Sequence, residues 1–287
     1  MKNILFSVII VSYKNLKVLI NCIDSIYQYN EIEDKLEIIV VDNSPEDNIY
    51  RYIKVNYPGV RILKSNNRGF GAANNLGANI AKGKYLLFLN PDTLLIEPIF
   101  KFAIEQFEKD DKLALFGVKM LDENLKRNTS FAFLDKKGFF AVLFTKLLNK
   151  ADFFLESKMY IVGAAMFIRK NVFFEVGMFD ENLFLYREEA DLARRIKAYN
   201  YKIKYFKNKR LIHLGGKSST DLSSTSKLSE QLKSTKYYCQ KYGIDYNKMI
   251  LKEIRYLKFK RFVYKMINQH KCDEIEIYIN FLKESMQ

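Results

Sequence analysis

The chain has 287 residues and a formal net charge of +14, from 47 lysines and arginines against 33 acidic residues. Hydrophobic residues make up 48% of it, which excludes a chain disordered by composition. Cys22, Cys239 and Cys272 lie far apart, which excludes a disulfide scaffold or zinc ribbon and indicates a reducing cytosol.

Apolar, β-branched runs alternate with helical stretches through the first 120 residues. The runs predict strands at Leu5–Val11, Leu36–Val41, Val60–Leu63, Tyr85–Leu89 and Leu113–Val118. Helices are predicted at Leu16–Tyr29, Asp47–Asn56, Gly71–Ala81 and Pro98–Lys109. This alternation indicates an α/β fold, a mostly parallel sheet with helices on both faces. The first run is too short, and lacks the cleavage site, for a signal peptide.

The middle of the chain, at about 121–160, is rich in phenylalanine. We expect most of these side chains in the core, namely those of Phe131, Phe133, Phe139, Phe140, Phe144, Phe153 and Phe154. A strand at about 159–168 follows, then a helix that begins at Glu188 and a strand at Lys202–Phe206.

From about Ser223 the chain is predicted to be helical, with a bend after Lys258 where Arg261 and Lys265 enter the apolar stripe. We therefore divide the chain into a domain at 1–220 and a helical C-terminal extension at 221–287. Within it, 233–271 has eleven basic and two acidic residues. This segment suits an anionic membrane face or nucleic acid. A solvated surface and a homodimer interface are the alternatives.

Polar residues follow four of the predicted strands. They are Ser12-Tyr13, Asp42-Asn43-Ser44, Asn66-Asn67-Arg68-Gly69 and Asn90-Pro91-Asp92. Ligands of such sheets bind beyond the carboxyl ends of the strands, so these groups predict a polar ligand. Asp42 suits a base or a ribose hydroxyl, and equally a helix N-cap.

Two of these groups suit the binding of a phosphate or a diphosphate. The glycines after Asn67 lead into a helix whose first N–H groups suit a phosphate, and Arg68 adds a positive charge. Their spacing is not that of a dinucleotide-binding motif, which disfavours an NAD-linked oxidoreductase. Asp92 could hold a divalent cation beside a diphosphate, or be an ordinary turn residue.

Two further groups suit catalysis. Glu188, Glu189 and Asp191 open a predicted helix, where they could cap it or supply a general base. Asp191 could also pair with Arg195. His213 precedes Gly215-Gly216-Lys217-Ser218 and could face a phosphate or a metal.

In their order and spacing these motifs resemble the family 2 inverting nucleotide-sugar glycosyltransferases, in the rhamnosyltransferase-like branch. The resemblance covers about residues 4–220 and includes Val162-Gly163-Ala164, Phe179-Asp180-Glu181 and Tyr186-Arg187-Glu188-Glu189. It implies a GT-A fold, a nucleotide-diphosphate sugar donor and a divalent cation, Mg²⁺ or Mn²⁺.

The resemblance also implies roles for single residues. The nucleotide would be held by Ser12, Tyr13, Asp42, Asn67, Arg68, Gly69, Asn75 and Asn90. The metal would be held by Asp92 and His213. The sugar and the acceptor would lie near Gly163, Ala164, Asp180 and Asp191. Glu189 would be the catalytic base, with Glu188 as the alternative.

The implied function is sugar transfer with inversion in bacterial cell-surface polysaccharide synthesis. Deoxythymidine-diphosphate rhamnose is the favoured donor, a uridine-diphosphate hexose stays open, and the acceptor is a glycan or a lipid-linked saccharide. We expect a cytoplasmic enzyme, peripheral on the inner face of the plasma membrane, with no nucleic-acid partner. A nucleic-acid-binding protein and an inactive glycosyltransferase relative are the rival hypotheses.

Overall fold

The computed structural model describes residues 3–215, 224–265 and 269–286. Its strands are β1 Phe6–Ser12, β2 Leu36–Asp42, β3 Val60–Lys64, β4 Tyr85–Leu89, β5 Thr93–Leu95, β6 Leu113–Leu121, β7 Phe131–Phe133, β8 Met159–Ile161, β9 Ala165–Arg169 and β10 Lys202–His213. Its helices are α1 Leu16–Gln28, α2 Asn48–Asn56, α3 Phe70–Ile80, α4 Phe100–Lys109, α5 Phe139–Ala151, α6 Lys170–Glu175, α7 Glu188–Ala198, α8 Ser224–Lys241, α9 Tyr246–Tyr264 and α10 Gln269–Glu284.

Eight strands form one sheet in the order β3-β2-β1-β4-β9-β6-β10-β5. The pairs among β1 to β4 and the β6–β10 pair are parallel, whereas β9 and β5 run antiparallel to their neighbours. The mostly parallel sheet predicted from the alternating pattern is confirmed. Ser12 and Asp42 are paired residues at the ends of β1 and β2, so the polar residues after these strands share one edge.

Helices cover both faces of this sheet, as the continuous apolar strands predict. Val8 and Ile10 of β1 pack into the cluster on one face, and Ile9 between them packs into the cluster on the other. Helix α3 approaches closely at Gly77, where an added Cβ would lie 2.5 Å from Ile9 Cγ2. Two buried faces explain why the strands are apolar throughout rather than alternating.

The predicted strand at about 159–168 is two strands. Strand β8 pairs with β7 in a small second sheet, and β9 pairs with β4 and β6 in the main sheet. The chain crosses from one sheet to the other through Gly163 and Ala164. This crossing is pinned to the end of β4, because the Asn90 N–H donates to the Ala164 carbonyl at 2.9 Å.

The expectation that most phenylalanines of 121–160 lie in the core is wrong. Phe131 and Phe133 of β7 are buried and Phe154 is half-buried. The side chains of Phe139, Phe140, Phe144 and Phe153 are exposed. The reason is that α5 turns other residues inward, its fully buried positions being Ala141 and Asn149.

No break interrupts α9 after Lys258, because the helix continues to Tyr264. The sequence of α9 contains no glycine or proline that would end it earlier. Arg261 is exposed, so the basic residues that enter the apolar stripe near the end of α9 do not have to face a core. Helices α8 to α10 share a third apolar cluster, which includes Ile250, Ile254 and Leu282. Within the described ranges, no helix is long and apolar enough to cross a bilayer.

Candidate active site

A cavity of about 820 Å³ lies beyond the carboxyl ends of β1 and β4. Its strand-end wall is formed by residues that follow strands or end them: Tyr13, Asn43, Asn67, Asn90 and His213. Its helical wall is formed by α5 and the C-terminal helices: Thr145, Gln231, Glu253, Tyr256, Lys260 and Tyr278. Glu188, Glu189 and Gly163 lie between the two walls.

The structure brings nine of the predicted site residues to this cavity. They are Tyr13, Asn67, Gly69, Asn90, Gly163, Ala164, Glu188, Glu189 and His213. The other seven do not line it: Ser12, Asp42, Arg68, Asn75, Asp92, Asp180 and Asp191.

Glu188 and Glu189 are the first two residues of α7, where the helix dipole stabilises acidic side chains. The preceding residues, Tyr186 and Arg187, both have left-handed backbone, with φ of 68° and 76°. Such non-glycine conformations cost about 1–3 kcal/mol each and cluster at functional sites. The sharp turn directs both carboxylates into the cavity.

Glu189 is oriented by the backbone of the crossing segment. Its Oε1 accepts a hydrogen bond from the Gly163 N–H at 3.0 Å. A Cβ added at Gly163 would lie 2.5 Å from the same oxygen, so this contact requires glycine. Burial raises the pKa of Glu189 above its ordinary value, and the Gly163 hydrogen bond partly opposes the rise.

Glu188 is the more deeply buried of the pair. Burial, and after it the charge of Glu189, raises the pKa of Glu188 well above its ordinary value. Its buried Oε2 has no hydrogen-bond partner among the residues described. Both carboxyl groups therefore hold a proton more readily than an ordinary glutamate, and Glu189 is the one whose carboxylate the Gly163 N–H orients.

Asn43 Oδ1, a buried atom at the strand-end wall, also lacks a partner in the described structure, as does the buried Ser12 Oγ at the end of β1. The Asn43 Nδ2 donates to Asn67 Oδ1 at 3.3 Å, which joins the ends of β2 and β3. Buried polar groups are nearly always satisfied, so unsatisfied ones at a cavity indicate the position of a polar ligand.

Asp92 and His213 lie together behind Asn90. The antiparallel pairing of β5 with β10 places His213 opposite Thr93, and His213 Nε2 is 3.4 Å from Asp92 Oδ1. In the described segments no three His, Cys, Asp or Glu side chains cluster as a metal site. One carboxylate and one imidazole fit a Mg²⁺ or Mn²⁺ ion whose other ligands are diphosphate oxygens.

Asp42, Asn75 and Arg68 act next to the cavity rather than in it. Asp42 accepts from the Ser44 N–H at 2.9 Å and lies 3.2 Å from Lys64 Nζ, which fixes the loop that carries Asn43. It is not an N-cap, because α2 begins after Asp47.

The amide of Asn75 holds α3 against the loop before α7, with hydrogen bonds to both the N–H and the carbonyl of Phe179. Arg68 is exposed and pairs with Glu181 at 2.9 Å. In this structure both residues brace the loop that leads towards the two glutamates.

Asp180 and Asp191 anchor helix α8. Lys241 Nζ lies 2.6 Å from an oxygen of each, and Tyr242 donates to Asp191 at 2.7 Å. Burial would raise the pKa of Asp180, but hydrogen bonds from Lys241, Asn182 and others hold it at about 2. The predicted pair of Asp191 with Arg195 exists, at 2.6 Å, although Asp191 is fully buried rather than on the surface.

Several cavity residues were not predicted. Asn43 was predicted only as a member of the polar group after β2, without a role of its own. No local sequence pattern indicated Glu253 and Tyr278. They come together through a hydrogen bond of 2.9 Å that joins α9 to α10 across 25 residues. Glu253 also lies 3.2 Å from Lys137 Nζ. The sequence analysis also grouped Gly216, Lys217 and Ser218 with His213. These three residues lie outside the described residues.

Comparison with known proteins adds the family. The sequence profile of glycosyl transferase family 2 matches residues 7–176. Rhamnosyltransferase WbbL of Escherichia coli K12 is 28% identical over 203 residues, which is 64% of this chain and 75% of WbbL. Glycosyltransferase GlyG of Streptococcus pneumoniae is 28% identical over 182 residues, 60% of this chain and 59% of GlyG. The chain spans only part, 18 to 59%, of several other relatives and of GlyG.

Solved structures show the same fold. GalNAc-T7, crystallised with UDP, GalNAc and Mn²⁺, superposes with a TM-score of 0.58 at 17% identity, over 82% of this chain and 48% of that one. The GT-A expectation is therefore confirmed, as is the resemblance to the rhamnosyltransferase-like branch. With a profile match over more than half its length, the chain belongs to glycosyl transferase family 2.

Proposed function

We propose that this glycosyltransferase moves a sugar from a nucleotide diphosphate to an acceptor hydroxyl with inversion, using Glu189 as the base. The observation that carries the proposal is the placement of Glu189. Its carboxylate is fixed by the Gly163 N–H, has a raised pKa and lies between the two walls of one cavity. A base must combine a defined position with a pKa nearer to neutral.

The reaction is a single displacement. Glu189 accepts the proton of the acceptor hydroxyl, and that oxygen forms a bond to the anomeric carbon. The bond from this carbon to the diphosphate oxygen breaks on the opposite face, and the diphosphate leaves with the electron pair. The configuration at the anomeric carbon therefore inverts. We assign the base to Glu189 rather than Glu188 because the Gly163 N–H fixes the position of the Glu189 carboxylate.

We assign the donor to the strand-end wall. Tyr13, Asn43, Asn67 and Asn90 offer an aromatic ring and amide groups to a base and a ribose. Asp92 and His213 would hold a divalent cation, which when bound neutralises charge on the leaving diphosphate. A rhamnosyl donor is supported by the similarity to WbbL, which is a rhamnosyltransferase by name. We keep deoxythymidine-diphosphate rhamnose as the favoured donor.

We assign the acceptor to the helical wall. Tyr256 and Tyr278 offer surfaces on which sugar rings can stack, and Lys146 and Lys260 add positive charge to the same wall. Such a lining suits a glycan that carries phosphate or carboxylate groups, as a saccharide linked to a lipid through phosphate does. We therefore propose a role in bacterial cell-surface polysaccharide synthesis, at the cytoplasmic face of the plasma membrane.

Calorimetric titration tests the donor assignment. We expect the protein to bind dTDP or UDP more tightly than GDP or ADP, and more tightly with Mg²⁺ or Mn²⁺ than with EDTA. Failure of every pyrimidine diphosphate to bind under both conditions would contradict the donor assignment.

Turnover of a radiolabelled donor tests the base. Glu189→Gln is expected to lower turnover about 10²- to 10⁴-fold, the usual contribution of a general base, while nucleotide affinity stays unchanged. Glu105→Gln, at an exposed position of α4, is the matched control and should behave like the wild type. Full turnover in Glu189→Gln would show that another group is the base.

A further inference from the structure

Helix α5 carries an apolar stripe that faces solvent. Phe140, Leu143, Phe144 and Leu147 follow the i, i+3, i+4, i+7 spacing of a single helix face, and their exposed fractions are 70, 39, 49 and 51%. A stripe of this spacing ordinarily packs against a core. Here the opposite side of the helix is buried, at Ala141 and Asn149, so the stripe is left outside.

The last turns of α9 extend this surface. Phe259 and Phe262 are 53% and 71% exposed and lie one turn apart. The ring of Phe139 connects the two helices, with its centroid 5.5 Å from that of Phe140 and 5.3 Å from that of Phe259. We call this continuous surface the aromatic face: Phe140, Leu143, Phe144, Leu147, Phe259 and Phe262.

Positive charge surrounds the aromatic face. The segment 136–151 contains four lysines and no acidic residue, and 248–265 contains seven basic residues and one acid, Glu253. The side chain of Glu253 is 14% exposed and points inward to Lys137 and Tyr278. One of the basic residues, Arg261, pairs with Glu276 at 2.9 Å.

A groove of about 600 Å³ crosses the aromatic face between α5 and α9. Lys136, Lys252 and Arg255 line it together with the rings of Phe139, Phe140 and Phe259. Basic groups beside aromatic rings match the chemistry of a phosphate headgroup that continues into an acyl chain.

We infer that the aromatic face inserts into the interface of an anionic bilayer. Aromatic rings are favoured at the boundary between headgroups and acyl chains, and surrounding lysines are attracted to anionic lipid. A second copy of this chain fits the face poorly, because two strongly positive surfaces would then meet. The inference goes beyond the basic segment 233–271, since α5 lies outside that segment.

The same helices line the cavity with their other sides. Thr145 of α5 and Lys260 of α9 are cavity residues, and Ala141 and Tyr256 line both the cavity and the groove. Insertion of the aromatic face would therefore place the helical wall next to the membrane, within reach of a saccharide on a lipid carrier. Membrane binding itself does not depend on the proposed catalysis, so either can fail without the other.

Sedimentation with vesicles tests the inference on the full chain. Vesicles of phosphatidylcholine alone are compared with vesicles that contain 30% phosphatidylglycerol, and nucleotide binding is measured on the same samples. We expect the wild type to bind the anionic vesicles at least about ten-fold more strongly than the neutral ones.

Two pairs of variants separate the apolar from the electrostatic contribution. Phe140→Ser with Phe144→Ser should lower binding to anionic vesicles about ten-fold or more, and Tyr52→Ser with Val55→Ser, exposed on α2, should not change it. Lys150→Glu with Lys258→Glu should lower binding to anionic vesicles only. The far-ultraviolet circular dichroism of each variant confirms that it is folded.

Two results would overturn the inference. One is equal binding of the anionic vesicles by the wild type and the Phe140→Ser, Phe144→Ser variant. The other is a wild type that ignores vesicles and forms a dimer which the same variant dissociates, because the face would then be a contact between copies.

Discussion

The strand-end wall and the helical wall of the cavity are built in different ways. Each residue of the strand-end wall follows or ends a strand of the sheet, so its position is set by pairing within the core. Residues of the helical wall project from α5 and from α8 to α10, and the last three of these helices share an apolar cluster of their own.

The two walls also differ in how they join the rest of the molecule. Strands β1 and β4 below the strand-end wall are almost wholly buried. The helical wall is joined through α8, where Tyr238 enters the sheet cluster and Lys241 binds Asp180 and Asp191. Substitutions in the first wall should change donor binding, and substitutions in the second should change transfer to the acceptor.

The largest effect is expected where the walls meet. Gly163→Ala would place a methyl group 2.5 Å from Glu189 Oε1, so the carboxylate must move. Displacing a catalytic group by about 1 Å can cost about 10²-fold in turnover, while nucleotide binding at the strand-end wall should be unchanged. Gly59→Ala, remote from the cavity, is the control, and turnover of labelled donor is the measurement. Normal turnover in Gly163→Ala would show that the contact is not needed.

A smaller effect is expected at the strand-end wall. Asp92→Asn should weaken binding of a pyrimidine diphosphate about ten-fold in Mg²⁺ or Mn²⁺, because the cation loses its carboxylate ligand. In EDTA the affinity should be the same as that of the wild type. Asp111→Asn, at a fully exposed site, is the calorimetric control. An equal loss in EDTA would mean that Asp92 has a structural role instead.

At the helical wall we expect a selective effect on the acceptor. Tyr256→Ala removes a ring that lines the cavity and should lower transfer to lipid-linked saccharides of a membrane extract about five-fold. The affinity for nucleotide diphosphate should not change. Tyr13→Ala should do the reverse, lowering nucleotide affinity. If both variants lost nucleotide affinity equally, the two walls would not be functionally distinct.

The smallest effect concerns stability. Burial raises the pKa of Glu188 in the folded state, so folding becomes less favourable as pH rises above about 4.3, where the unfolded residue ionises. Glu188→Gln removes this loss of folding free energy at high pH. It should raise the melting temperature at pH 8 by about 2–4 °C for each kcal/mol added to the free energy of unfolding. At pH 4 the variant and the wild type should melt together. Thermal unfolding at the two pH values provides the measurement.

The sequence predicts the strand-end wall better than the contacts made between distant parts of the chain. Strand runs and the polar residues after them are local signals, and Tyr13, Asn67 and Asn90, which follow such runs, line the cavity. The hydrogen bond between Gly163 and Glu189 spans 26 residues and depends on the crossing between two sheets, which no periodicity encodes.

The structure differs from the sequence-based expectations where tertiary packing determines the surroundings of a side chain. Asp180 and Asp191 lie in the expected motifs, but α8 binds them from a distant part of the chain. The phenylalanines of α5 were expected inside because aromatic side chains are generally buried. Which side of a helix faces inward depends on its neighbours, and for α5 these place Asn149 inside, where its amide bonds the backbone of β7.

The attachment of α8 has a consequence for protein engineering. Through Tyr238 and Lys241 this helix is fastened to the sheet core and to the start of α7, whereas α9 and α10 begin only after the Gly243 turn. A chimera designed to exchange acceptor preference between relatives should therefore keep α8 with its own sheet and be joined at Gly243. A junction before Ser224 would instead detach Lys241, whose ion pair with Asp191 fastens α8 to α7.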